Sequence, residues 1–223
     1  MLSLSLFSSS SNVSIAIARK AKILKFLEIT KEKKTIRSDK ILELIQVMLK
    51  EYDNSKITEI ILPRGPGSFT TLRNLLSISQ GLSITNNAKI YTLTKFDTFL
   101  PHVRFSNEAL LLFFKDSRKD FYFQFFENQK LKWIRSSKIF CGFTSDIEKK
   151  IMLYSNIRGW KNLKIVTNQY INFSIAGKKI QKINTNAKSV LKAHFLDLSS
   201  KTTKVLYHLQ HYAKKNQLYK NRN

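Results

Sequence analysis

The chain has 223 residues, of which 43% are hydrophobic, and 39 Lys+Arg against 15 Asp+Glu give it a formal net charge of +24. That apolar fraction excludes a globally disordered chain and supplies one large core or two small ones. The charge implies attraction to polyanions such as RNA, DNA or an anionic membrane surface, although abundant Lys, Asn and Ile also fit a codon bias toward A and T.

The N-terminus, Met1 to Phe7, has no basic region before its apolar residues. Together with the lack of any apolar run near the roughly eighteen residues of a membrane span, this predicts a folded, cytoplasmic chain with no membrane partner. Leu2, Leu4 and Leu6 alternate with Ser3 and Ser5, and Val13, Ile15 and Ile17 resume the alternation after the Ser8–Asn12 turn. A third strand, Ile23 to Ile29, follows the short turn at Lys20–Lys22, so the chain opens on an antiparallel meander. Lys31 to Arg37 is a basic loop, and Ser38 or Asp39 caps a helix over 39–52. Its apolar residues cover more than one stripe, which predicts burial on two sides, by a further element or by a partner chain.

Ile57 to Leu62 reads as a buried strand, and a helix over 71–85 follows it. Between them lies Arg64-Gly65-Pro66-Gly67-Ser68-Phe69-Thr70. The glycines permit a tight turn, Pro66 stiffens it, and Ser68 or Thr70 can cap the helix. The turn lacks the lysine of a P-loop and the spacing of a dinucleotide fingerprint. Lys89 to Leu93 is another strand, and Thr94 or Asp97 caps a short helix ending before Pro101. His102 to Asn107 is a polar connection that divides the chain into lobes at 1–102 and 103–223.

The second lobe begins with strands at Ala109–Phe114, Phe121–Phe126 and Leu131–Ile134, a second meander. The only cysteine, Cys141, excludes an intrachain disulfide, and its apolar or small neighbours predict a buried thiol. A helix opens at Thr144 or Ser145 with Asp146 and Glu148 in its first turn. Leu163 to Val166 is a strand, and helices over 186–198 and 200–216 close the lobe. The order of strands and helices argues an α/β fold with two mixed sheets.

Catalytic chemistry is thinly represented. His208 and His211 share a helical spacing without a carboxylate or thiolate beside them, and His102 and His194 have no Ser-His-Asp context. Asp116 and Asp120 flank Arg118 and Lys119, which favours surface ion pairing. The aromatics between Phe121 and Trp133 alternate as core residues do, with base stacking as the other reading. The expectation is no catalytic residue, no metal and no cofactor.

The glycine turn, Arg64 to Thr70 with Leu72-Arg73, and Gln80-Gly81-Leu82 one helix later resemble the TsaB (YeaZ) family, whose members partner TsaD in tRNA threonylcarbamoyladenosine synthesis. The Asp116-Ser117-Arg118 turn is similar to the family's D-A-R turn, and Leu218-Tyr219-Lys220-Asn221-Arg222 to its closing segment. Phe7-Ser8-Ser9 stands where the family usually carries D-T-S, Arg37-Ser38-Asp39 where it often has a histidine, and Thr71 where it has a glycine. The resemblance implies two lobes of the actin-like ATPase (ASKHA, ribonuclease H-like) fold. It implies a non-catalytic subunit that binds TsaD through its first two helices, with Ile41, Leu44, Ile45, Met48, Leu72, Leu75 and Leu76 in the contact. A TsaE-type ATPase and tRNA are further implied partners, with a homodimer when the chain is alone. A general basic RNA-binding protein and a degenerate nucleotide-binding protein are the other readings.

Overall fold

Leu2, Leu4 and Leu6 face one side of strand β1 (Leu2–Ser8), and Ser3, Ser5 and Phe7 face the other. The computed structural model describes residues 2–9, 12–30, 38–50, 52, 57–115, 120–204 and 206, apart from the side chains of Ser38 and Phe69. The Lys31–Arg37 loop, the Asp116-Ser117-Arg118 turn, His208, His211 and the closing Leu218–Arg222 segment lie outside the described residues.

β1 pairs antiparallel with β2 (Asn12–Arg19), and β2 with β3 (Lys22–Thr30). On its other side β1 runs parallel to β4 (Ile57–Pro63), which runs parallel to β5 (Lys89–Leu93). The first sheet thus has the order β3-β2-β1-β4-β5. Helices α1 (Ser38–Leu49) and α2 (Phe69–Asn86) lie on the leucine face. Ile41, Ile45 and Met48 of α1 and Leu75 and Ile78 of α2 join Leu2, Leu4 and Leu6 in one cluster. Asn87 ends α2 in the left-handed conformation, which its short polar side chain tolerates.

The second sheet repeats this plan. β6 (Ala109–Lys115) pairs antiparallel with β7 (Phe121–Gln129) and parallel with β10 (Leu163–Thr167), which runs parallel to β11 (Ile180–Lys182). The third position of the meander is split: β8 (Lys132–Arg135) pairs with β7 at Phe126–Gln129 and β9 (Phe140–Gly142) pairs with it at Phe121–Phe123. Helix α3 (Thr144–Arg158) covers the face that carries Phe121, Phe123 and Phe125. The opposite face buries Tyr122, Phe126 and Trp133. Both faces of β7 are therefore core, and the base-stacking reading of these aromatics falls.

The segment that follows each sheet's last strand packs on the other sheet. After β5, Phe96, Phe99 and Leu100 lie in 3₁₀ turns against Phe114, Tyr122 and Phe126. After β11, helix α4 (Ala187–Phe195) lies against the serine face of the first sheet, beside Phe7, Ala16 and Ala18. The expectation that this helix closes the second lobe is corrected by that packing. The faces it joins are built from Ala187 and Ala193 on the helix and Ser5, Ser14 and Ala16 on the sheet, so the backbones approach closely. Ser14 Oγ accepts from Ala187 N–H at 2.9 Å, and Ser5 Oγ donates to Ala187 O at 2.8 Å.

Two further expectations are overturned. Ser200 does not begin a helix: its N–H and C=O pair with Thr92 at the edge left by β5, and Leu206 N–H reaches Arg64 O, while residues 207–216 of the expected helix lie outside the described residues. An unpaired strand edge takes a partner wherever one reaches it, and this outcompetes the helical periodicity. Cys141 is exposed because the three-residue strand β9 turns it outward between Phe140 and Gly142.

Two predictions follow from the α4 junction. Ala193→Leu forces three extra side-chain carbons into a fully buried position and destabilises the fold by about 1–3 kcal/mol in urea titrations. His102 Nε2 lies 2.9 Å from Ser189 Oγ, and burial, with the Lys192 charge second, holds the ring below its ordinary 6.5. The unfolded chain then takes up this proton first, so the His102 contribution is full above pH 6.5 and is lost as pH falls below it. His102→Asn flattens that part of the stability profile.

Candidate partner-binding face and the signature turn

The signature turn is built from the carboxyl end of β4. Arg64 N–H donates to Leu93 O at 2.9 Å and Lys95 N–H donates to Gly65 O at 2.8 Å, so the turn continues the β4–β5 ladder. Gly65 has φ +113°, and an added Cβ would stand 3.1 Å from Leu206 O and 3.2 Å from Leu72 Cδ1. Glycine is required there by both conformation and space. Gly67 has no heavy atom within 4 Å of that position. The Gly65–Pro66 bond is cis.

Ser68 occupies the cap position of α2, and its backbone oxygen accepts from Leu72 N–H at 3.0 Å. Its hydroxyl makes no capping bond and instead accepts from Thr71 Oγ1 at 3.2 Å. Thr70 and Arg73 lie exposed on the first turns of the helix. The turn therefore fixes where α2 starts and how it leaves the sheet. Ser8 and Ser9, which stand in the D-T-S position, end β1 at the same edge; Ser9 Oγ accepts from Asn12 N–H at 3.0 Å.

The seven residues expected in a partner contact divide in two. Ile41, Ile45, Met48, Leu72 and Leu75 are between 1% and 9% exposed and serve this chain's own core. In the chain alone they are covered by its own packing, and Ile45 also lines the groove between the two helices. Leu44 and Leu76 are half-buried against the same cluster. The outward apolar residues of the helix pair are Leu42 at 37%, Val47 at 48% and Ile84 at 84% exposure. Between the helices runs a groove of about 290 Å³ lined by Leu42, Ile45, Gln46, Leu49, Leu82 and Thr85.

Polar groups of some interest lie elsewhere. Asp97 is buried, accepts from Thr94 N–H and Oγ1 at 2.7 Å, and pairs with Arg135 of β8 at 2.6 Å. It thereby ties the 3₁₀ segment to the second sheet. Glu59 accepts from Ser3 Oγ at 2.7 Å and lies 3.6 Å from His194 Nε2, whose Nδ1 is 2.6 Å from Ser199 Oγ. This cluster anchors α4 to β1 and β4. Residues from distant parts of the sequence meet in both places, and no local spacing signals them. Among the described residues no group of three or more His, Cys, Asp or Glu is placed to hold a metal ion.

Two lobes with one repeated sheet order, exchanging their closing segments, define the class: an actin-like ATPase fold. The family model for TsaD, tRNA N6-adenosine threonylcarbamoyltransferase, matches residues 34–221, and the chain belongs to that family. No protein of curated function matches it in sequence. YeaZ from Pseudomonas aeruginosa superposes with a TM-score of 0.67 at 12% identity, covering 92% of this chain and 99% of that one. A second P. aeruginosa structure, described as similar to peptidase YeaZ, gives 0.62 at 12% identity over 92% and 98%. A Listeria monocytogenes protein provisionally assigned as an N-acetylmannosamine kinase gives 0.54 at 11% identity over 88% and 99%. The chain thus belongs by sequence to the TsaD family and shares its fold with YeaZ.

The turn generates its own prediction. Gly65→Ala destabilises the fold by at least about 1 kcal/mol because it adds strain at positive φ to a contact with backbone. Gly67→Ala, with open space around it, leaves the melting temperature within error.

Proposed function

We propose that this chain is a catalytically inert subunit that binds a TsaD-type enzyme as a heterodimer and supports N6-threonylcarbamoylation of adenosine 37 in tRNA. The observation that carries the reading is the α1–α2 face, where Leu42, Val47 and Ile84 remain exposed around an apolar groove. Exposed apolar side chains beside a groove between two helices offer ridges and holes to a second helix pair. The family match and the YeaZ-like fold support the choice of partner. The subunit acts as a scaffold: binding stabilises a competent form of the enzyme, which performs the transfer itself. A TsaE-type ATPase and tRNA join the same assembly, in the cytoplasm, and the chain alone pairs with itself through this face.

Val47→Asp and Ile84→Asp test this without touching the core. Each is expected to weaken co-purification with the TsaD-type partner at least about tenfold while the melting temperature of the isolated chain holds. Ile45→Asp instead unfolds the chain, since it places a carboxylate at a position 1% exposed. Undiminished co-purification of both surface variants would rule the face out.

A further inference from the structure

β11 is the end strand of the second sheet, whose order is β11-β10-β6-β7-β8. Ile183 N–H, just past the strand, donates to Thr167 O of β10 at 2.8 Å. Peptide groups alternate in direction along a strand, so Gln181 also faces β10, while the N–H and C=O groups of Ile180 and Lys182 face away from it. Among the described residues no strand pairs with that outer side. Ile180 and Lys182 therefore offer main-chain donors and acceptors in one line along an open edge.

Lysines flank this edge on both faces of the sheet. The register sets Ile165 beside Ile180 and Thr167 beside Lys182, which puts Lys182 on the face covered by α3. Lys164 and Lys179 alternate with these residues and lie on the opposite face, with Gln181. Lys182 Nζ sits 3.1 Å from the ring centroid of Tyr170, which holds the ammonium on its own face. A recess of about 580 Å³ beside the strand is lined by β10, β11 and Asn107, and none of its lining residues is acidic. The neighbouring Glu108 is taken up by Lys161 N–H at 2.8 Å and Asn162 N–H at 3.3 Å. Other open edges differ: β3 includes Glu28, and Arg135 of β8 is already paired with Asp97.

An edge of this kind recognises main chain, and an extended peptide supplies main chain in the matching repeat. Successive side chains of an added strand point to alternate faces. Lysines on both faces therefore suit carboxylates on successive residues of the peptide. A nucleic acid strand has no backbone N–H to give such an edge. A second copy of this chain would bring one basic edge against another, which the lysines oppose.

We propose that the outer edge of β11 takes an acidic, extended segment of a partner protein as an added strand. The N–H and C=O groups of Ile180 and Lys182 bond its main chain, and Lys179 and Lys182 meet its carboxylates on the two faces. The α1–α2 helices take no part, so this contact is independent of the scaffold reading.

The probe is a short labelled peptide with a central run of glutamates between threonines, titrated into the full chain and followed by fluorescence anisotropy. Proline is tolerated where an edge N–H points to solvent, so Lys182→Pro removes an outward donor and keeps the pairing with β10. It is expected to weaken peptide binding about tenfold, whereas Lys182→Gln, which removes the charge alone, weakens it about threefold. The same peptide N-methylated along its glutamate run keeps its charge and is expected to lose binding to the wild-type chain. Equal weakening by the two variants, or undiminished binding of the N-methylated peptide, would reduce the contact to diffuse charge and overturn the proposal. So would a wild-type chain that does not bind the peptide, or one that self-associates through this edge and is made monomeric by Lys182→Pro.

Discussion

Ala187 is held between two serines of the first sheet, and the arrangement of the lobes depends on that contact. Its N–H is among the amides at a helix start that no carbonyl of the helix can satisfy. Ser14 Oγ accepts that bond, while Ser5 Oγ donates to the carbonyl of the same residue. Asn186 caps the neighbouring amide of Lys188 at 3.0 Å. The two serine bonds lie where water is excluded, so each of them left unmade would cost about 1–3 kcal/mol. The serines therefore specify where α4 lands, and the small side chains around them let it land closely. Since α4 leaves from β11 of the second sheet, its docking carries one lobe onto the other.

The exchange runs both ways, and it accounts for the buried polar residues between the lobes. Phe96 and Phe99 enter the second sheet's core from the first lobe, and Asp97 between them finds Arg135. A carboxylate 1% exposed is tolerable only with such partners. The two lobes share a sheet order but not their covering helices. An 18-residue helix, α2, connects β4 to β5, whereas Asn168 to Lys179 connects β10 to β11 with no helix. The first lobe thus gains a helix pair with a groove, and the second keeps an uncovered corner at the start of β11.

Much of the fold was legible in the sequence because it is local. Period-two alternation located β1, β2 and β7, a dense apolar run located β6, and a cap at Thr94 or Asp97 located the 3₁₀ turn. What escaped was set by distant partners. Ser3 and Ser5 look like the solvent face of a half-buried strand, yet they are 4% and 0% exposed because α4 covers them from some 180 residues away. Ser200 follows a helical pattern and is drawn into the Thr92 pairing. The β8–β9 split and the exposure of Cys141 likewise depend on where β7 stops offering an edge.

The α1–α2 face shows the same limit at the level of single residues. Periodicity counts apolar positions on a helix, and α1 has more of them than one sheet can cover. It does not say which are in surplus. The most regular, Ile41, Ile45 and Met48, are the ones a sheet takes first, because their spacing matches one stripe. The residues left over, Leu42 and Val47, break that stripe. An apolar residue off the core stripe gains nothing from this chain's own folding and leaves apolar area in water. A surplus of that kind on two adjacent helices is better evidence for a missing partner than the buried residues that first drew attention to them.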